Sequence, residues 1–219
     1  MRSTIRSTFH CKAVGPNRHV IGQADPRLIA AALAEIGSVE TWPRVKRDDH
    51  HILDQGRSLI MRDERHRDSE LRGRFPSIEK LVDQVLDLGF GSIPAKIVCA
   101  YLPPGKVIKP HKDGGQYYTF HNRIHVPLVT NSQVTMTVDG EQFAMDVGDI
   151  YLFQNLRRHA ASNEGTEGRI HLIVDVLDPR YSVDLYHRLW WPLMLNFLGT
   201  ASAYRWLRYR AVERDPALA

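Results

Sequence analysis

Residues 123–153 read RIHVPLVTNSQVTMTVDGEQFAMDVGDIYLF, and this stretch decides the fold class. Short runs rich in β-branched and aromatic residues are split in it by turn-forming residues, and no helical stretch lies between them. Asp139-Gly140 separates two of these runs, which is a strong signal for a two-residue hairpin. Similar runs extend the pattern over residues 97–177, from IVCAYL to RIHLIVDVL. The pattern predicts an antiparallel sandwich or barrel.

The chain before this region is predicted to be helical. Asp25 is a suitable N-cap, Pro26 fits the first helical position, and Gly37 ends the stretch RLIAAALAEI. A second helix is predicted to open at Pro76-Ser77, because the following IEKLVDQVLDL carries apolar residues at helical spacing. Residues 46–74, between these helices, are dense in charges of both signs and predict a solvated surface segment or, alternatively, a loop on the substrate side.

These patterns divide the chain into three zones. We expect residues 1–90 to form a mostly helical segment that packs on the barrel, residues 91–179 to form the barrel core, and residues 180–219 to form an aromatic and basic helical segment. The last zone is predicted to pack on the barrel or on a second copy of the chain, as a homodimer. Contact with a membrane surface is the alternative. A membrane-spanning helix is not expected, since the longest uncharged run, residues 189–204, is shorter than about 20 residues and contains Pro192 and Gly199.

Composition excludes several classes of protein. The 219 residues are 43% hydrophobic and 25% charged, which excludes a wholly disordered chain and a coiled coil. Cys11 and Cys99 are too few for a disulfide scaffold or a Cys-rich zinc site, and they favour a cytoplasmic location. The net charge of +4 is too small to indicate a nucleic-acid partner. The first residues contain no apolar run typical of a secretion signal.

Three residues of the predicted barrel have the chemistry of a metal site. His111 and Asp113 are two residues apart, so on an extended strand both side chains point to the same face. His159 follows at a turn-like segment. Two imidazoles and one carboxylate leave neighbouring coordination positions open, which suits non-haem Fe(II) with a co-substrate and dioxygen. A surface ion pair and a loop histidine are the alternatives.

Two strands also carry an arginine and a histidine on the same face. Alternation in RIHLIVDV places Arg169, His171 and Asp175 opposite the apolar residues, and alternation in RIHVPLV does the same for Arg123 and His125. An arginine inside a barrel needs an anionic partner, and its guanidinium can bind a carboxylate through two hydrogen bonds. That partner is either a ligand or an internal carboxylate such as Asp175 or Asp113. A ligand-orienting role for Asp175 or His171 is a further hypothesis.

Residues 101–179 resemble the aspartyl/asparaginyl β-hydroxylase family of Fe(II)/2-oxoglutarate oxygenases. The resemblance is carried by YLPPGKVIKPHKD, by NRIHVPLV, by GDIYLF, and by HAASN followed after a short turn by RIHLIVDVLDP. It implies a double-stranded β-helix, which is a cupin-like jelly roll, with flanking helices. One departure is Ala100, which stands where certain members use a serine to help bind the co-substrate, so that contact would come from another residue, such as Tyr101 or Tyr117.

The resemblance also implies a role for each matching residue. His111, Asp113 and His159 would bind iron. Arg169 would hold the far carboxylate of 2-oxoglutarate, and Arg123 and His125 would lie near its other end. No further catalytic residue is implied beyond the metal ligands.

The activity implied is hydroxylation of an unactivated C–H bond with release of succinate and CO₂. The substrate would be an amino acid, a peptide side chain or a related small molecule. Hydroxylation of a lipid acyl chain within the same family is the alternative, and so is a cupin-type metalloenzyme that does not use 2-oxoglutarate. A non-catalytic jelly roll that binds a small molecule would not require the three metal-ligand candidates to converge.

Overall fold

The computed structural model describes residues 16–43, 56–91, 93–114 and 116–178, and ten strands in this part form two antiparallel sheets. The larger sheet has the order β1-β8-β5-β10-β3-β2, and the smaller has the order β4-β9-β6-β7. The strands are β1 Arg18–Gln23, β2 Arg57–Arg62, β3 Pro94–Leu102, β4 Lys106–His111, β5 His121–Val129, β6 Val134–Val138, β7 Glu141–Phe143, β8 Asp149–Phe153, β9 His159–Asn163 and β10 Arg169–Leu177.

From β3 to β10 the chain crosses repeatedly between the two sheets. β3, β5, β8 and β10 lie in the larger sheet, whereas β4, β6, β7 and β9 lie in the smaller one. Apolar side chains from both sheets, among them Met136, Val138 and Phe153, pack together between them. Eight antiparallel strands distributed in this way form a double-stranded β-helix, and they confirm the predicted mainly β fold.

Among the described residues, two longer helices cover the outer face of the larger sheet, and a third, short helix precedes β5. They are α1 Pro26–Ile36, α2 Pro76–Asp87 and the short α3 Gln116–Phe120, with a 3₁₀ turn at Val39–Thr41. α1 begins as predicted, because the Asp25 carboxylate accepts a hydrogen bond of 2.8 Å from the backbone N–H of Arg27. α2 begins at Pro76, and the Glu35 carboxylate accepts from the backbone N–H of Ser77, which tethers the start of α2 to α1.

The apolar face of β10 is buried beneath these helices. Leu172, Val174 and Val176 are fully buried and join α1 and α2 residues such as Ala32 and Ile78 in one core cluster. Because this face holds the helices, the opposite face of the sheet, with Arg169, His171 and Asp175, points toward the smaller sheet. The predicted alternation in β10 is therefore confirmed, and it places polar side chains inside the barrel.

Two strands lie in the zone for which helices were predicted. β1 pairs with β8 at one edge of the larger sheet, and β2 pairs with β3 at the other. The segment of residues 46–74 is therefore not only a solvated surface segment, since Leu59 and Met61 of β2 are buried in the core. Their apolar run, Leu59-Ile60-Met61, has three residues, lies between Arg57-Ser58 and Arg62, and is too short to stand out in a charged stretch.

The hairpin prediction is confirmed. β6 and β7 are joined by Asp139 and Gly140 alone, whose φ angles of 47° and 85° are both positive, as a type I′ turn requires. This tight connection keeps the two strands in register at the end of the smaller sheet.

The zone of residues 180–219 lies outside the described residues, together with the predicted packing, dimer and membrane contacts that depend on it. In the part of the chain that the structure describes, no helix has both the length and the apolar character needed to cross a bilayer.

Candidate metal and co-substrate site

The three candidate metal ligands meet at one point. His111 is the last residue of β4, and its register partner on β9 is His159. Asp113 follows two residues after His111, and the candidate ligand atoms of all three residues lie within 4.8 Å of one another. No other cluster of this kind occurs among the described residues. Convergence of His111 and His159, which are 48 positions apart in the chain, therefore depends on the pairing of β4 with β9.

Backbone carbonyls fix the protonation pattern of both histidines. Nδ1 of His111 is 2.8 Å from the carbonyl oxygen of Lys109, and Nδ1 of His159 is 2.9 Å from that of Arg157. A carbonyl oxygen can only accept, so Nδ1 must carry the proton in each ring. Each Nε2 then has the lone pair that a metal ion needs, and each ring is held in orientation.

The Asp113 carboxylate is held in place from one side. Its Oδ2 accepts hydrogen bonds from Nη1 of Arg123 and, at 3.0 Å, from Nδ2 of Asn155. The other oxygen, Oδ1, lies 3.8 Å from Nε2 of His111. Burial would raise the pKa of the Asp113 carboxyl, but the charges of Arg123 and His159 and the Asn155 hydrogen bond outweigh it and lower the pKa. The aspartate is therefore available as an anionic ligand.

Arg123 is bound by two aspartates. Its Nε and Nη2 each donate a 2.8 Å hydrogen bond to Asp175, one to each carboxylate oxygen, while Nη1 donates to Asp113. Tyr117 adds a 3.1 Å hydrogen bond from its hydroxyl to Oδ2 of Asp175. Burial opposes the charge on Arg123, but the two carboxylates raise its pKa well above the ordinary value. The internal-carboxylate alternative considered for Arg123 is therefore what the structure contains.

Arg169 has a different environment. It is 2% exposed, and within the described part of the chain its guanidinium makes one hydrogen bond, from Nη1 to the sulfur of Met136. Its Nε has no hydrogen-bond partner among the described residues. Burial lowers its pKa to about 10, so the group stays cationic at neutral pH. A buried guanidinium without a carboxylate is costly, which indicates that an anion completes this position.

The candidate site residues share one cavity of about 160 Å³. It is lined by all three candidate metal ligands, Arg123, His125 and Arg169, and by apolar side chains from both sheets, among them Leu102, Ile108, Met136, Phe153 and Ile173. We call the part formed by His111, Asp113, His159 and Arg123 the metal end, and the part around Arg169 the anion end. A donor set of two imidazoles and one carboxylate fits ferrous iron, and an unpaired guanidinium in the same cavity fits a dicarboxylate such as 2-oxoglutarate.

The sequence analysis missed some residues around the site. Asn155 lies in the turn after β8 and has no pattern that would identify it. Lys96 on β3 and Ser58 on β2 also line the cavity, although β2 was not predicted as a strand. Of the two tyrosines suggested in place of the family's serine, Tyr101 lines the cavity, whereas Tyr117 donates its hydroxyl to Asp175.

Comparison of the structure with solved structures supports the fold. A prolyl 4-hydroxylase from Pseudomonas putida is 13% identical, with a TM-score of 0.51 over 74% of this chain and 91% of that one. A prolyl hydroxylase from Trichoplax adhaerens, solved with a peptide fragment of the hypoxia inducible factor oxygen degradation domain, is 12% identical, with a TM-score of 0.52 over 82% of this chain and 91% of that one. At this identity the likeness shows the fold alone.

Comparison of sequences shows the family. No curated protein matches the chain. A family model described as aspartyl/asparaginyl beta-hydroxylase matches residues 28–179, which include every strand except β1, α1 from its third residue, α2 and every candidate site residue. The chain therefore belongs to the aspartyl/asparaginyl β-hydroxylase family.

Proposed function

We propose that this protein is an Fe(II)/2-oxoglutarate-dependent dioxygenase. It would hydroxylate an unactivated C–H bond of an amino acid, a peptide side chain or a related small molecule, with release of succinate and CO₂. The observation that carries the proposal is the pairing, within one cavity, of a convergent His111-Asp113-His159 set with a buried Arg169 that has no carboxylate partner among the described residues.

The residues divide the work of binding between them. His111, Asp113 and His159 would hold the iron, and the bonds to Lys109 and Arg157 keep both imidazoles turned with Nε2 as the ligand atom. When bound, ferrous iron supplies the oxidising chemistry with dioxygen that breaks a C–H bond. Arg169 would bind the far carboxylate of 2-oxoglutarate, and the apolar side chains between the two ends exclude water from the reacting groups.

The role of Arg123 differs from the one implied by the resemblance. Three of its five N–H groups donate to Asp175 and Asp113, so its main contribution is to hold the metal-binding carboxylate. Of the two residues expected near the metal-proximal end of the co-substrate, His125 is the one whose Nε2 has no hydrogen-bond partner within the described residues. We therefore assign co-substrate contact to His125 and Arg169.

The first experiment is anaerobic titration of the purified protein with Fe(II) and 2-oxoglutarate. A weak visible charge-transfer absorption is expected when both are present and not with either alone. The matched control is Arg169→Met, which keeps the metal ligands and should bind Fe(II) without developing the absorption at the same 2-oxoglutarate concentration. A metalloenzyme that does not use 2-oxoglutarate would bind iron and show no such absorption in either protein.

The second experiment is a substrate screen by succinate release under air. Free amino acids, peptides and acyl-chain compounds are tested in parallel, because the cavity is lined by both polar and apolar side chains. Succinate release that increases with one class and yields a product heavier by one oxygen atom identifies the substrate class. Stimulation by acyl-chain compounds alone would favour the lipid hydroxylase instead.

A further inference from the structure

Two buried histidines lie side by side on the inner face of the larger sheet, and only one of them lines the cavity. His125 and His171 are 5% and 0% exposed, and their Nδ1 atoms are 3.2 Å apart. His125 contributes to the cavity wall, whereas His171 does not. Among the described residues, the Nε2 atoms of both rings lack a hydrogen-bond partner. The proposed function gives His171 no role.

Both rings are neutral in this environment. Burial lowers the pKa of His125 well below its ordinary value, and the charges of Arg123 and Arg169 lower it further. Burial and Arg169 do the same for His171. A neutral imidazole carries one N–H and one lone pair. A hydrogen bond between the two Nδ1 atoms therefore requires that one ring donates there and the other accepts.

The two possible directions place the remaining N–H group differently. If His125 donated, His171 would carry its proton on Nε2, a buried donor that faces neither the cavity nor an acceptor among the described residues. If His171 donates, its Nε2 holds only a lone pair, and the N–H group that needs an acceptor is Nε2–H of His125. His125 belongs to the cavity wall and His171 does not, so a ligand bound in the cavity can supply an acceptor for this N–H, although the Nε2 atom is itself buried in the structure. Buried N–H groups without an acceptor are rare in proteins, so the second direction is favoured.

We propose that His171 is a positioning residue that donates from Nδ1 to Nδ1 of His125 and so fixes the His125 tautomer with its proton on Nε2. The cavity wall then contains a neutral N–H donor in addition to the Arg169 guanidinium, for a carboxylate of the co-substrate. The statement about the co-substrate rests on the proposed function, whereas the statement about the tautomers does not.

At the metal end, the hydrogen bond at Nδ1 has the opposite direction and fixes the opposite tautomer. His111 and His159 each donate from Nδ1 to a backbone carbonyl, which leaves a lone pair on Nε2 for a cation. His125 accepts at Nδ1, which leaves N–H on Nε2 for an anion. The hydrogen-bond partner of Nδ1 thus decides whether each cavity histidine serves the metal or the co-substrate.

The direct test is long-range ¹H–¹⁵N correlation NMR on the full chain with ¹⁵N-labelled histidine, without metal or co-substrate. The two rings are assigned with the variants His125→Asn and His171→Asn. We expect His125 protonated on Nε2 and His171 protonated on Nδ1. The reverse assignment, a charged ring, or averaging of both tautomers in His125 would overturn the proposal.

The second test measures binding of 2-oxoglutarate in the presence of Zn(II), which replaces iron without redox chemistry. His171→Asn keeps an N–H donor, and His171→Leu removes it. We expect the dissociation constant for 2-oxoglutarate to rise about 10-fold in His171→Leu and by less than about 3-fold in His171→Asn. Zn(II) affinity should be equal in all three proteins.

Two results would contradict the positioning role of His171. Equal 2-oxoglutarate affinity in His171→Leu and the unmodified protein would remove the positioning role, and so would a parallel loss of Zn(II) affinity, which indicates a general structural effect. If His171→Leu does not fold, the NMR result on the unmodified chain decides. If the unmodified protein binds no 2-oxoglutarate, the proposed function fails, while the tautomers still decide the statement about His171.

Discussion

The metal end and the anion end of the cavity differ in how completely their charged groups are paired. At the metal end Arg123 is bonded to Asp175 and Asp113, and Asp113 is bonded to Asn155 as well. At the anion end, the described part of the chain offers Arg169 one hydrogen-bond acceptor, the weak acceptor sulfur of Met136. A satisfied network is a rigid support that exists before any ligand arrives, whereas a buried cation without a carboxylate is a position that a bound anion would stabilise.

This difference predicts which substitutions damage the fold and which damage only binding. Residues of the paired network should affect both stability and metal affinity. Substitution of Arg169 should weaken co-substrate binding. It should also stabilise the unliganded protein, because a buried charge without a carboxylate partner among the described residues is removed.

The largest effect is expected from the metal ligands themselves. Asp113→Ala and His159→Ala should each reduce succinate release by more than about 100-fold, because each removes one of the three metal ligands. This loss is larger than the one expected when a residue that hydrogen-bonds to a metal ligand is removed. Succinate is measured with the substrate that the screen identifies. Asp83→Ala, an exposed aspartate on α2, is the control and should retain activity. Undiminished turnover in both ligand variants would remove the metal assignment.

The next effect is at the anion end. Arg169→Met should weaken 2-oxoglutarate binding by about 100-fold, because a charge-assisted contact to a carboxylate is lost. The same variant should raise the free energy of unfolding of the unliganded protein by about 1 kcal/mol, since a buried unpaired charge is replaced by an apolar side chain.

Calorimetry and urea unfolding measure these two quantities. Arg27→Met, at the exposed start of α1, is the matched control and should change neither quantity appreciably. Destabilisation by Arg169→Met would show that Arg169 stabilises the fold of the unliganded protein and is not a binding site for an anion.

The third effect is at the metal end. Asp175→Asn leaves the buried Arg123 with one carboxylate, which should lower the free energy of unfolding by about 3 kcal/mol. It should also weaken metal binding by about 10-fold, because Arg123 no longer holds Asp113 from a fixed position. Urea unfolding and Mn(II) titration measure the two effects. Tyr117→Phe removes one hydrogen bond to Asp175 and is the milder control, with a loss of about 1 kcal/mol. Unchanged metal affinity in Asp175→Asn would confine Arg123 to a structural role.

The sequence predicted the strands and the convergence better than it predicted the partners. Alternation in β10 gave the correct inner face for Arg169 and Asp175, because the apolar residues on the other face are regular. The hairpin at Asp139-Gly140 and the start of α1 at Asp25 were predictable for the same reason, since each depends on a local backbone requirement.

What could not be predicted depends on contacts between distant residues. From the sequence, the partner of Arg123 could be an internal carboxylate or a ligand. The structure shows that Asp175 and Asp113 are its partners. β2 was missed because its apolar run is short, and its burial depends on pairing with β3. Asn155 reaches Asp113 from a turn with no sequence signal.

The smallest effect predicted is the pH dependence of the paired network. Burial would raise the pKa of the Asp175 carboxyl, but Arg123 outweighs it and lowers the pKa from its ordinary value of 3.8 to about 2 in the folded protein. A carboxyl with a depressed pKa stabilises the fold above its unfolded pKa, and this stabilisation is lost as pH falls from about 4 toward 2. The shift corresponds to roughly 2 kcal/mol.

Other carboxylates, including Asp113, also titrate in this range, so the comparison of two proteins isolates Asp175. Urea unfolding between pH 5 and pH 2 should show a steeper loss of stability in the unmodified protein than in Asp175→Asn, which has no proton to bind at that position. The two curves should converge as the pH approaches 2. Parallel curves would mean that Arg123 stabilises Asp175 no better in the folded chain than water does in the unfolded one, and the metal end would then not be the pre-formed support that its hydrogen bonds indicate.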